Sequence, residues 1–86
     1  MILFKKIPTK IEKKDYEIRI LYDETTVNVV AFLNSYPANG FRHQIPIPKK
    51  FEVKKALKAD AVKELVEMSK NDIIEKRWER LLKTLL

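Results

Sequence analysis

Residues 16–34 read YEIRILYDETTVNVVAFLN, and two kinds of periodicity meet in them. Tyr16, Ile18, Ile20 and Tyr22 share one face of an alternating run, while Glu17, Arg19 and Asp23 share the other with Leu21. A period of two with one apolar face is the pattern of a half-buried strand. From Val27 to Asn34 the chain is apolar on both faces, with asparagine only near the ends, which reads as a more central strand. The linker Glu24-Thr25-Thr26 is short enough for a hairpin, so the two strands should pair antiparallel.

Downstream, SYPANG (35–40) reads as a turn. Pro37 fixes its own φ and biases Tyr36 toward an extended conformation, and Asn39-Gly40 reaches positive φ at little cost. FRHQIPI (41–47) follows as a strand. Successive N–H groups of a strand point to opposite sides. Residues 42, 44, 46 and 48 share a side, and Pro46 and Pro48 remove donors from it. Residues 43, 45 and 47 keep theirs. Such a strand pairs on one side only, so an edge position is expected. Upstream, ILFKKI (2–7) reads as a further strand, with Pro8 suited to an edge or a bulge.

From residue 51 the period becomes helical, in pieces rather than as one rod. At 100° per residue, Val53, Ala56 and Leu57 form one stripe, Ala61, Val62, Leu65, Val66 and Met68 a second, and Ile74, Trp78, Leu81, Leu82 and Leu85 a third. The stripe jumps by nearly half a turn near 59–60 and again near 69–72. Asp60 suits a cap at the first jump, and Asp72 with Glu75 has capping-box spacing at the second. The pattern predicts a helical turn at 51–58 and helices at 60–69 and 72–85. The expected fold is α+β: a small antiparallel sheet of three to four strands followed by two to three C-terminal helices. It forms one domain over 1–86, with the sheet at about 2–48 and the helices at about 51–86.

Composition narrows the chemistry. The chain of 86 residues has no cysteine, one histidine and one glycine. Disulfides, thiolate nucleophiles and cysteine zinc sites are excluded. Phosphate loops and dinucleotide fingerprints need several glycines. The close acidic pairs Asp15/Glu17 and Asp23/Glu24 match no calcium-loop pattern, so no metal and no cofactor is expected. His43 shares a strand face with Phe41, Ile45 and Ile47, and spacing supplies it no nucleophile or orienting partner. These features argue against an enzyme. No apolar run approaches the ~20 residues needed to span a bilayer, and the opening residues lack the pattern of a signal peptide, so a cytoplasmic location without integral membrane association is expected.

Charge is the strongest bias. Eighteen Lys and Arg face twelve Asp and Glu, for a net charge of +6. Residues 49–58, KKFEVKKALK, hold five lysines and one glutamate, as do residues 1–14. In a helical turn Lys54, Lys55 and Lys58 fall on one face, Lys49 and Lys50 lead into it, and Arg42 lies on the polar face of the edge strand. Lysines are point charges suited to phosphates and lack the fork that reads bases. The expected function is therefore a small basic binding module contacting nucleic-acid backbone through Lys49, Lys50, Lys54, Lys55, Lys58 and Arg42, without strong sequence preference. Tyr36 and Phe41, beside the turn, are the aromatic candidates for stacking on bases. A solvated helix face would carry the same lysines. The alternative is a protein-interaction or structural subunit, homodimeric through the C-terminal helix, whose Trp78, Leu81, Leu82 and Leu85 form an amphipathic stripe.

Overall fold

The computed structural model describes residues 1–49 and 51–85. Five strands precede three helices: β1 (Ile2–Ile11), β2 (Lys14–Tyr22), β3 (Thr26–Leu33), β4 (Tyr36–Pro37), β5 (His43–Pro46), α1 (Val53–Leu57), α2 (Asp60–Ile74) and α3 (Arg77–Leu85). The α+β class is as the periodicity predicts. The sheet runs β1-β2-β3-β4, with β5 paired to β3, and every pairing is antiparallel.

The hairpin of 16–34 is the centre of the molecule. Ile20 pairs with Val29 and Ile18 with Ala31, which puts the alternating apolar residues of β2 beside those of β3. Val27, Asn28, Val29, Val30 and Ala31 are all buried, as expected of a central strand. Asp23 shapes the connection: its Oδ1 accepts from the amides of Thr25 and Thr26, each at 2.8 Å. On the face away from the helices, Arg19 lies 4.0 Å from the centre of the Phe32 ring and bonds Glu17 at 2.6 Å, and this arrangement shields Val30.

The first strand is longer than the pattern at 2–7 implied. It extends to Ile11 and returns through Glu12-Lys13, both at positive φ (51° and 68°). Two residues in this conformation make the mirror-image turn whose twist matches that of a hairpin, and neither is the usual Asn or Gly. Pro8 sits opposite Glu17 within β1, which pairs with β2 alone among the described residues, so its missing donor faces no strand. A register shift between Leu3 and Lys5 leaves Phe4 without a partner.

The turn after β3 is also displaced from expectation. Asn34-Ser35 adopt positive φ (52° and 69°) and join β3 to β4, whereas Gly40 does not. Gly40 is required for a different reason. A Cβ there would collide with three carbons of the six-membered ring of Trp78. Further on, β5 meets only β3 among the described residues, and the Ile47 amide donates to the Thr25 carbonyl at 2.7 Å. The odd-numbered amides thus face the sheet, and Pro46 and Pro48 lie on the open side.

The helices cover one face. Ala56, Leu57, Val62 and Val66 pack on Ile18, Ile20, Val27 and Val29. The chain breaks at Lys58-Ala59, as the first phase jump predicts. Ala59 is the N-cap, however, and Asp60 stands inside the first turn, where its charge favours the helix N-terminus. The second expected break, at 69–72, is absent: α2 continues to Ile74, and the chain turns at Glu75-Lys76 instead, with Lys76 at φ 54°. The buried positions of α2 explain this. Val62, Val66, Ser69 and Asp72 are buried at helical spacing, so the inward stripe continues through two polar residues.

Candidate functional site

α1 is a single anchored turn. Ala56 and Leu57 are buried in the core, and Lys54, Lys55 and Lys58 remain exposed. Lys49 is exposed in the preceding turn, and Lys50 lies outside the described residues. No carboxylate lies within 4.0 Å of the ammonium groups of Lys49, Lys54, Lys55 or Lys58 among the described residues. Lys6, Lys63, Lys70 and Lys76 do have such neighbours.

Arg42 is exposed but stands apart. It precedes His43 at the start of β5, and the four residues of β5 separate it from Ile47, five steps or about 16 Å of extended chain. Lys58 has other company. It borders a furrow together with Lys5 of β1 and Lys63 and Lys70 of α2. The structure therefore gathers Lys58 with three lysines that the spacing did not associate with it, and leaves Arg42 just before β5, at the other side of the sheet from β1. Tyr36 is exposed, whereas Phe41 is half-buried and engaged with other rings.

A second cluster centres on His43. The imidazole Nε2 donates to Asp72 Oδ2 at 2.6 Å, and Arg77 Nη1 donates to Asp72 Oδ1 at 3.0 Å. Asp72 is 4% exposed. Glu75 and then Asp72 hold the Arg77 guanidinium more strongly protonated than an ordinary arginine. Phe41 stacks beside His43 at 6.3 Å, and Trp78 meets Phe41 edge-on at 5.4 Å. By spacing alone Asp72 reads as a helix cap and His43 has no partner. The only signal in the sequence is the spacing of Asp72 from Val62, Val66 and Ser69, one turn after another on the inward face.

Chemically, the His43–Asp72 pair has the form of an oriented base, yet the one hydroxyl of α2, Ser69 Oγ, is buried without a hydrogen-bond partner. No nucleophile is coupled to the imidazole by that route. The arrangement clasps β5 to α2 and α2 to α3. Among the described residues no group of three or more His, Asp or Glu side chains is placed to hold a metal ion, and no helix is long and apolar enough to cross a membrane. The chain matches no known family model, no curated protein and no solved structure.

Proposed function

We propose that the protein is a small basic binding module that contacts nucleic-acid backbone with little sequence preference. The observation that carries this reading is the uncompensated charge of α1 and its approach: Lys49, Lys54, Lys55 and Lys58 are exposed and lack carboxylate partners among the described residues. Cations not neutralised within the protein are the ones that release counterions when phosphates replace them. Lysine charges on a short helix suit phosphate contact rather than base reading.

The test replaces Lys49, Lys50, Lys54, Lys55 and Lys58 with Gln and measures binding of single- and double-stranded oligonucleotides at several salt concentrations. Binding should weaken for every sequence, and the salt slope should flatten by roughly 0.7–0.9 for each phosphate that is no longer neutralised. The same number of substitutions at Lys63, Lys70, Lys76, Arg80 and Lys83 should do less, because Glu67 pairs with Lys70 and Glu12 approaches Lys76. A wild type without salt-dependent binding near ~50 mM salt would end this reading.

One observation favours a second reading, a homodimeric interaction subunit. α3 has no fully buried residue, and Leu81, Leu82 and Leu85 are 42%, 39% and 73% exposed along its apolar stripe. Exposed aliphatic side chains in a row suit contact with another polypeptide.

A further inference from the structure

α2 packs chiefly over β3, and sheet twist carries β1 away from it. A furrow of about 680 Å³ is left between β1 and the helices. Its floor is apolar, made by Phe4 and Ile7 of β1, Ile20 of β2, Leu57 of α1, and Val62 and Val66 of α2. The register shift at Leu3/Lys5 brings Phe4 and Lys5 to the same furrow, where Phe4 is 43% exposed.

The rims are basic. Lys5 stands on the β1 side, and Lys58, Lys63 and Lys70 stand on the helix side. Glu67 also lines the furrow and pairs with Lys70 at 3.4 Å, and Asp60 lies 3.8 Å from Lys63. Lys5 and Lys58 make no ion pair among the described residues. Lys63 and Lys70 are two helical turns apart, about 10 Å, so the positive charge runs along the furrow rather than gathering at one end.

This distribution selects the occupant. A fatty carboxylate has one charged head and would engage one end only. Nucleic acid offers no aliphatic surface to a floor of Phe, Ile, Leu and Val. The α3 of a second copy has a suitable apolar stripe, but Arg77, Arg80 and Lys83 outnumber Glu79 on it, and like charges would meet across the rims. What fits is a ligand apolar on one face and acidic along both edges. We propose that the furrow receives an amphipathic helix of a partner protein, its aliphatic stripe laid on Phe4 and Ile7 over the largely buried Leu57, Val62 and Val66, and its flanking carboxylates facing Lys5, Lys58, Lys63 and Lys70.

The inference stands apart from nucleic-acid binding, and Lys58 is the only residue the two share. Its test therefore leaves the lysines of 49–58 intact. The probes are two synthetic helical peptides of about 14 residues with the same leucine stripe, one edged by glutamates and one by lysines. Dodecanoate and an oligonucleotide serve as further probes. The full chain, labelled with nitrogen-15, is titrated with each. The acidic peptide should shift the amides of Leu57, Val62 and Val66 and bind at least ~10-fold more tightly than the basic one. In the variant Lys63→Glu/Lys70→Glu the preference should reverse, and the recovered binding of the basic peptide would show that the variant is folded. Equal affinity for the two peptides, shifts confined to other residues, or dodecanoate binding without acidic-peptide binding would each overturn the proposal. Oligonucleotide binding that persists alongside such a failure would leave the nucleic-acid reading standing.

Discussion

His43 and Asp72 meet at 2.6 Å across 29 residues of sequence, one at the start of β5 and the other in the fourth turn of α2. Arg77 takes the second carboxylate oxygen and brings the start of α3 into the same cluster. One buried side chain thus connects the sheet edge to both long helices. Replacing Asp72 with Ala should lower stability by about 1–3 kcal/mol in urea unfolding, since it removes two charge-assisted hydrogen bonds at a buried position. Arg77→Ala, at an exposed guanidinium, should cost clearly less. Equal losses in the two variants would show that the carboxylate is not the hub.

Gly40 has a steric prediction. Because a Cβ there collides with the Trp78 ring, Gly40→Ala must displace the indole or the loop. The expected cost is about 1–3 kcal/mol, the usual range for overpacking. Trp78 is the only tryptophan, so its emission should shift toward that of a more exposed indole. Unchanged emission and stability would refute this account of the glycine.

Asp23 should make the β2–β3 connection acid-sensitive. The backbone amides of Thr25 and Thr26 stabilise its carboxylate and hold its pKa below the ordinary 3.8. A folded pKa below the unfolded one contributes stability above the unfolded value, and that contribution disappears as pH falls through the folded pKa. The stability difference between wild type and Asp23→Asn should therefore be constant near neutrality and narrow as pH drops below 3.8. Denaturant titrations between neutral pH and strong acid would reveal it. A difference that widens in acid would contradict the sign.

The stripe on α3 can be tested by its exposure. Leu85→Glu should leave unfolding of a dilute sample within ~0.5 kcal/mol of wild type, because that side chain has little to lose in the isolated chain. If the homodimer reading holds, the same change should weaken self-association in sedimentation equilibrium. A wild type that stays monomeric at high concentration would remove that reading.

The parts of the fold that are legible in the sequence share a physical basis. Strand alternation over 16–22, the doubly apolar 27–33 and the proline-blocked side of 43–47 each leave a periodic or donor-count signature. The Glu12-Lys13 turn leaves none, because neither residue favours positive φ, and at Asn34-Ser35 the signal of Asn34 is outweighed by the Pro37 and Asn39-Gly40 just downstream, although Gly40, the residue freest to adopt positive φ, is used for its lack of a side chain. The misplaced helix break has a related origin. Apolar phase cannot follow a stripe that passes through Ser69 and Asp72, since burial of polar residues depends on partners distant in the chain. For the candidate site, exposure of Lys54, Lys55 and Lys58 follows from helical spacing. Their neighbours do not, because Lys5, on the same face of β1 as Ile7, meets Lys58, Lys63 and Lys70 only through the packing of the helices against the sheet.

The clasp also bears on the order of events in folding. β1, β2, β3 and β4 are joined in succession by connections of two or three residues, so their pairings close short loops and cost little chain entropy. The His43–Asp72 pair needs a far larger loop closed and α2 already in place. Such a pair should form after the rate-limiting barrier, with a φ-value near zero at Asp72. Weakening it should steepen neither arm of the chevron but raise the unfolding arm, with the refolding arm nearly unmoved. On that expectation the buried carboxylate would govern how long the folded chain persists, and the hairpins would set the speed of reaching that state.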